Sequence, residues 1–359
     1  MPINLHFSSG NWDRIQHDWT AWWLHESDRP MTVINAYEWQ GINFIPQFSG
    51  WDQDTDIFPI DEIIDYHQQN LESQHFYGDS WPRWFPNFGA GTVAAFLGAR
   101  VGVDQNTVWF ESSENKPAAD IHPKYDPHNF WWRWLRQIIQ TAIDRWGDQV
   151  TIAHTDLGGN LDILASLRGT QNLLLDLYDC PEEIDRLTAA ITQLWLRYYD
   201  ELFQIIQTAG RGTTAWTPMW CPGRYYMLQS DFCYMISPQM FERFVMPDLE
   251  TICSHIDYGF YHLDGKGQIP HLDMLLSIKN LRGVQWVPGD GQPPTWEWLP
   301  LLKRIRDSGK LCQVYASPKG ALRITRELGG KGFMFWLTEP LNENDARNFL
   351  KSLELENKT

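Results

Sequence analysis

The stretch Tyr258-Gly-Phe-Tyr-His262-Leu-Asp264-Gly-Lys-Gly-Gln-Ile-Pro-His271-Leu-Asp273 reads as one strand-to-helix unit. An aromatic, apolar run of β-favouring residues ends at His262 and Asp264, glycines make the turn, and His271 and Asp273 open a helix. Side chains two apart on a strand point to the same side, so His262 and Asp264 project together where the strand stops. A histidine beside a carboxylate trades protons near neutral pH; the same pair also serves as a buried couple satisfying its own hydrogen bonds. His271 and Asp273 sit where a helix start wants polar groups, and they are expected as support behind the site.

The same alternation recurs along the chain. Strands are expected over 151–154, 213–217, 258–263, 283–287, 311–316 and 332–337, with helical runs at 181–209, 238–255, 271–278, 295–307, 319–328 and 343–353 between and after them. Earlier β-like runs at 31–37 and 107–111, and a helix over 129–146, bring the strands to eight. Repeated βα units wind a parallel sheet, and eight of them make an α/β fold of the (β/α)8 TIM barrel type. An N-terminal helical extension over 1–30 precedes it. With no Pro/Ser-rich linker, residues 1–359 are expected to form one domain. A doubly wound open sheet is the alternative, but no GxGxxG follows an early strand.

Composition narrows the function classes. The chain has 359 residues, 43% apolar, and a formal charge of -16, with no basic run interleaved with aromatics, which argues against nucleic acid as a partner. No apolar run approaches the roughly 20 residues that span a bilayer, so no membrane association and a cytoplasmic location are expected. The five cysteines are odd in number and form no CxxC, the pattern of reduced thiols. Twenty tryptophans exceed what a core of this size needs. Either most of them simply fill the core and its rim, or they line an aromatic pocket for a flat or apolar ligand.

In a βα barrel the site lies at the carboxyl ends of the strands. Those ends offer Asn35, Tyr37 and Glu38, then His154 and Asp156, Trp216 and Trp220, His262 and Asp264, Gln285 and Trp286, Tyr315, and Trp336 with Glu339. His262, Asp264, Asp156 and Glu339 are the expected catalytic groups. Asp156 precedes Gly158-Gly159-Asn160 and is either a ligand contact or a helix cap; Glu339 is a proton acceptor, a metal ligand or a cap. Tyr37, Asn160, Trp216, Trp220, Asp231, Trp286, Tyr315 and Trp336 are expected to bind substrate. Topology places Tyr226 and Asp231 in the loop after the fourth strand. Arg168 either anchors an anionic substrate or forms a surface ion pair.

Three stretches carry a resemblance. Asp156 to Gly169, then Asn172 to Glu183, then Ser237-Pro-Gln-Met-Phe-Glu-Arg-Phe-Val-Met-Pro247 are similar to the uroporphyrinogen decarboxylase-like superfamily, over roughly residues 140–355 and loosely before that. Ala21-Trp22-Trp23, Asp28-Arg29-Pro30, His262-Leu-Asp-Gly265 and Trp286-Val-Pro-Gly289 resemble its branch labelled trimethylamine corrinoid protein 2-like. The resemblance implies a (β/α)8 barrel and one of two chemistries. In corrinoid-linked methyltransferases a zinc is held by His-x-Cys-Gly and a later cysteine. Asp264 stands in place of that first cysteine, and Phe335, Trp336 and Thr338 offer no second one, so a harder divalent-metal site of His262, Asp264 and Glu339 is the expected counterpart. The decarboxylases bind a polycarboxylate through arginines, whereas the matching N-terminal region here reads Asn35-Ala-Tyr-Glu38-Trp39, leaving Arg83, Arg168 and Arg224 as candidates. The leading expectation is methyl transfer between a small substrate and a corrinoid protein or folate. A cofactor-free decarboxylase of a tetrapyrrole or aromatic acid, with Asp156 or Asp264 as proton relay and Arg168 as anchor, is the first alternative. A non-catalytic small-molecule binder is the second. A homodimer is the base expectation for oligomeric state.

Overall fold

The computed structural model describes residues 3–37, 59–103, 108–114 and 116–358. Its strands are β1 Met31–Tyr37, β2 Gln74–Gly78, β3 Arg83–Trp84, β4 Arg100–Val103, β5 Val108–Glu111 and β6 Thr151–Ile152. There follow β7 Tyr225–Leu228, β8 Tyr258–Asp264, β9 Leu281–Val287, β10 Leu311–Ala316 and β11 Phe333–Leu337. The helices begin with α1 Ser9–Trp23, α2 Ile60–Glu72, α3 Val93–Phe96 and α4 Phe130–Trp146. Next come α5 Asn160–Arg168, α6 Thr170–Asp179, α7 Pro181–Ile206, α8 Pro238–Phe244 and α9 Met246–His255. The last are α10 Leu272–Ser277, α11 Leu299–Asp307, α12 Pro318–Leu328 and α13 Glu343–Glu356.

This is a mixed α/β protein around a central, mostly parallel sheet. The sheet runs β2-β1-β11-β10-β9-β8-β7, with β2 antiparallel to β1 and the other neighbours parallel. A separate parallel pair joins β3 to β6, and an antiparallel hairpin joins β4 to β5. Local chemistry starts several helices where expected: Asn129 caps α4 through the Trp132 N–H, and Pro181 with Glu182 and Glu183 opens α7. The run expected as one helix over 238–255 is interrupted at Val245, because Pro247 has no N–H to give a helix passing through it.

Two expected strands are corrected. Residues 213–217 form no strand; Thr213 and Thr214 make isolated bridges with Cys221 and Ala153, and Pro218 and Pro222 stop any continuation. The sheet strand there is β7, so Tyr226 lies in a strand and not in the loop after it. The run near 107–111 forms β5, outside the main sheet, and the second parallel strand is instead β3. At two residues β3 is too short to show a period.

α1 lies across the starts of the parallel strands. Its Trp19, Trp22 and Trp23 are fully buried, and their indole N–H groups donate to the backbone oxygens of Asp79, Phe333 and Trp220 at 3.1, 3.1 and 2.8 Å. Phe333 is the first residue of β11, and Trp23 packs on Tyr225 and Tyr258, which open β7 and β8. Among the described residues no helix is long and apolar enough to cross a membrane, and all five cysteines are free.

Candidate functional site

Register decides which side chains share a level. His262 of β8 lies level with Gln285 of β9, Gln285 with Gln313 of β10, and Gln313 with Met334 of β11. Two residues further along the strands, Asp264 is level with Val287, and Tyr315 with Trp336. Period-two alternation carries these side chains to the same side, the polar row beneath and the aromatic row nearer the strand ends.

At the ends of β7 and β8 three groups meet. One donor atom each from Asp231, His262 and Asp264 lies within 4.8 Å of the others, the one His/Cys/Asp/Glu group of this kind among the described residues. His262 Nδ1–H donates to Gln285 Oε1, which leaves Nε2 with a lone pair. Burial lowers the pKa of His262, and Asp264 opposes that shift. Asp231 is the most open of the three, yet the protein packed round its carboxyl, and then Asp264, push its pKa up to about 6. Trp216 stands edge-on to the His262 ring, 5.1 Å between centroids, and Tyr315 lies against Trp336 at 5.1 Å.

Three clefts open around this group. One of about 350 Å³ is lined by Asp231, Gln229 and Asp162; one of about 510 Å³ by Asp264, Tyr315 and Gly289; one of about 250 Å³ by Trp216, Trp336 and Arg83. Asp162, on α5, accepts the N–H groups of Asp231 and Phe232 at 3.0 and 2.7 Å and so clamps the turn that carries Asp231. Burial and then Asp231 raise Asp162 to about 7. Asp156, at the end of β6, accepts from Gly158 N at 2.9 Å and is raised to about 7, chiefly by burial.

Several expected site residues stand elsewhere. Glu339 is exposed beyond the end of β11 and outside the cluster; the third member is Asp231. Arg168 gives its Nε to Asp176 Oδ2 at 2.6 Å, tying α5 to α6. Asn160 is buried and donates to Phe244 O at 2.8 Å, a link between α5 and α8. Trp220 donates to Arg211 O at 2.7 Å and accepts from Trp23 at the opposite end of the strands. Trp286, one residue from Gln285, faces the other side of β9 and is buried against Trp298. His154 is buried and stacks on Tyr199 of α7. His271 stacks on Phe241 and bonds Cys233 O at 3.0 Å, supporting the turn after β7, whereas Asp273 is exposed in an ion pair with Arg304. The side chain of Tyr37, with Glu38 and Trp39, lies outside the described residues.

Sequence reasoning missed Asp162 and the orienting role of Gln285. An amide within the otherwise apolar 281–287 run was a usable signal, since glutamine is seldom buried without a task. Asp162 looks like any first-turn acid and carries no signal. No protein-family model matches this chain, and no curated protein is significantly similar to it. A thiolate-bound zinc of the kind implied by the resemblance does not fit these residues, because no cysteine belongs to the cluster.

Proposed function

We propose that this chain is a (β/α)8-barrel enzyme of the uroporphyrinogen decarboxylase-like superfamily that moves a methyl group between a small substrate and a corrinoid protein or folate. The single observation carrying this reading is the meeting of His262, Asp264 and Asp231 beside Trp216, Tyr315 and Trp336 at the carboxyl ends of parallel strands. Eight strands, β1, β3 and β6 to β11, supply the barrel. Contacts where the sheet ladders are interrupted support closure: Ser80 Oγ bonds both the N–H and the oxygen of Ile34 at 2.9 Å, and Leu157 N donates to Tyr226 Oη at 2.6 Å.

The residues have defined tasks in such a transfer. As an X–H group of the substrate attacks the methyl carbon, His262 Nε2 accepts its proton, and the electron pair of the broken carrier–methyl bond stays with the carrier. Asp264 stabilises the imidazolium. The aromatic faces exclude water around the methyl group. The decarboxylase alternative needs a cation for the carboxylate, but Arg168 is held by Asp176 and Arg224 by Asp200, and Arg83, the one of these three that lines the cleft beside Trp216, gives its Nη2 to the oxygens of Ala215 and Trp216 at 3.0 Å.

The test uses free methylcob(III)alamin with separate small thiols, amines, alcohols and carboxylic acids, followed by the corrinoid spectrum and by NMR of the methylated product. Demethylation with one acceptor class, lost in His262→Ala, is the expected result. No demethylation with any class, or full activity in His262→Ala, rejects the reading.

A further inference from the structure

We propose that Asp231, His262 and Asp264 together bind one divalent cation of hard or borderline character, so that this mouth activates a substrate through oxygen or nitrogen and not through a thiolate. The inference rests on the reading of this mouth as the working site, but not on the reaction assigned to it. Two carboxylates and an imidazole favour ions such as Mn²⁺, Zn²⁺ and Fe²⁺, whereas a soft-metal site would draw on cysteine. The resemblance points to a histidine-cysteine set; the residues present have replaced sulfur by oxygen and recruited the third donor from the turn after β7.

Four features support binding. The donor atoms lie within 4.8 Å of one another, so that a single ion about 2.0–2.2 Å from each nitrogen or oxygen needs only small movements of the side chains. The imidazole is already oriented, because Gln285 Oε1 accepts a hydrogen bond from Nδ1–H and so leaves Nε2 free to face the site, as carbonyl partners do behind metal-bound histidines. Two carboxylates held this close repel each other, and a dication relieves that repulsion. The polar row beneath has unspent hydrogen-bonding capacity: Gln313 is fully buried, and neither polar atom of its amide has a partner among the described residues. Such groups suit an interior that holds the water of a hydrated ion. With three protein ligands, coordination positions remain for substrate; with the ion bound, His262 Nε2 holds the metal instead of taking the X–H proton, and the metal-bound X–H group gives that proton to solvent.

The experiment titrates metal-free protein with Mn²⁺ and with Zn²⁺ by calorimetry, and counts bound metal after dialysis. One ion per chain is expected, with affinity reduced at least about tenfold in Asp231→Asn and in His262→Ala, reduced by a similar factor in Gln285→Ala, and unchanged in Glu339→Gln. Thermal melts establish that each variant is folded; Asp231 is exposed, so its amide variant serves if His262→Ala does not fold. No bound metal, binding that survives both Asp231→Asn and His262→Ala, or binding lost in Glu339→Gln overturns the proposal. Failure here is separable from failure of methyl transfer. Metal binding without methylcobalamin turnover rejects that reaction alone, and turnover by a protein that takes up neither Mn²⁺ nor Zn²⁺ rejects the metal site alone.

Discussion

The two ends of the parallel strands use tryptophan in opposite ways. At the strand starts Trp19, Trp22 and Trp23 are fully buried, packed edge-to-face, and every one of their indole N–H groups meets a backbone oxygen. At the strand ends Trp216 and Trp336 are only half-buried, and Trp216 Nε1 has no partner among the described residues. The first arrangement satisfies all three of these indole N–H groups and therefore contributes stability. The second leaves aromatic surface and polar atoms beside acids and an imidazole, which costs stability and provides somewhere for a ligand to sit.

The largest effect that tests this contrast is at the base. Trp22→Ala should destabilise the protein by about 3–5 kcal/mol in denaturant unfolding, by about the same amount at pH 5 and pH 8. A loss below about 1 kcal/mol would mean that α1 does not hold the strand starts together.

Next in size is a pH effect at the mouth. Because the folded pKa of Asp156 is raised to about 7, its contribution to stability is fully present below the ordinary carboxylate range near 4 and is lost as pH rises through about 7. Above pH 7 the ionised, buried carboxylate is a burden, so Asp156→Asn should be the more stable protein there, by about 1–4 kcal/mol, with the gain vanishing by pH 4. His154, held neutral by burial with its pKa lowered to about 3, acts in the other sense, its contribution being lost as pH falls from 6.5 toward that value. For that reason the quantity to follow is the difference between variant and wild type, measured across pH 4–8. A difference that does not change over this range would contradict the environment assigned to Asp156.

The smallest expected effect sharpens the comparison most. Trp216→Phe keeps an aromatic face beside His262 and removes an N–H without a described partner, so unfolding should stay within about 1 kcal/mol of wild type. Turnover with the acceptor found in the methylcobalamin assay should nevertheless fall by about tenfold, because the wall that touches the His262 ring has changed shape. Equal stability with equal turnover would remove Trp216 from the site.

The strands that decide the architecture were legible because their signals are local. The expected bounds of β1 and β10 coincide with the observed ones, and β8 differs from its expected span by one residue. Where the signal was not local the reading failed. β3 has two residues and no period, and the Thr213-Thr-Ala-Trp-Thr217 run looks like a strand until its flanking prolines and the pairing of β7 with β8 are taken together.

The amino-acid order by itself determined the alternation of helix and strand and the common direction of His262 and Asp264, because both follow from the repeat of the backbone within a few residues. Only the tertiary structure decided that Asp231 and not Glu339 joins them, that Gln285 orients the imidazole while Trp286 turns away, and that Arg168 is bound to Asp176. These outcomes depend on register between strands and on which helix lies against which, and both are set by packing between distant segments. No window of sequence contains them.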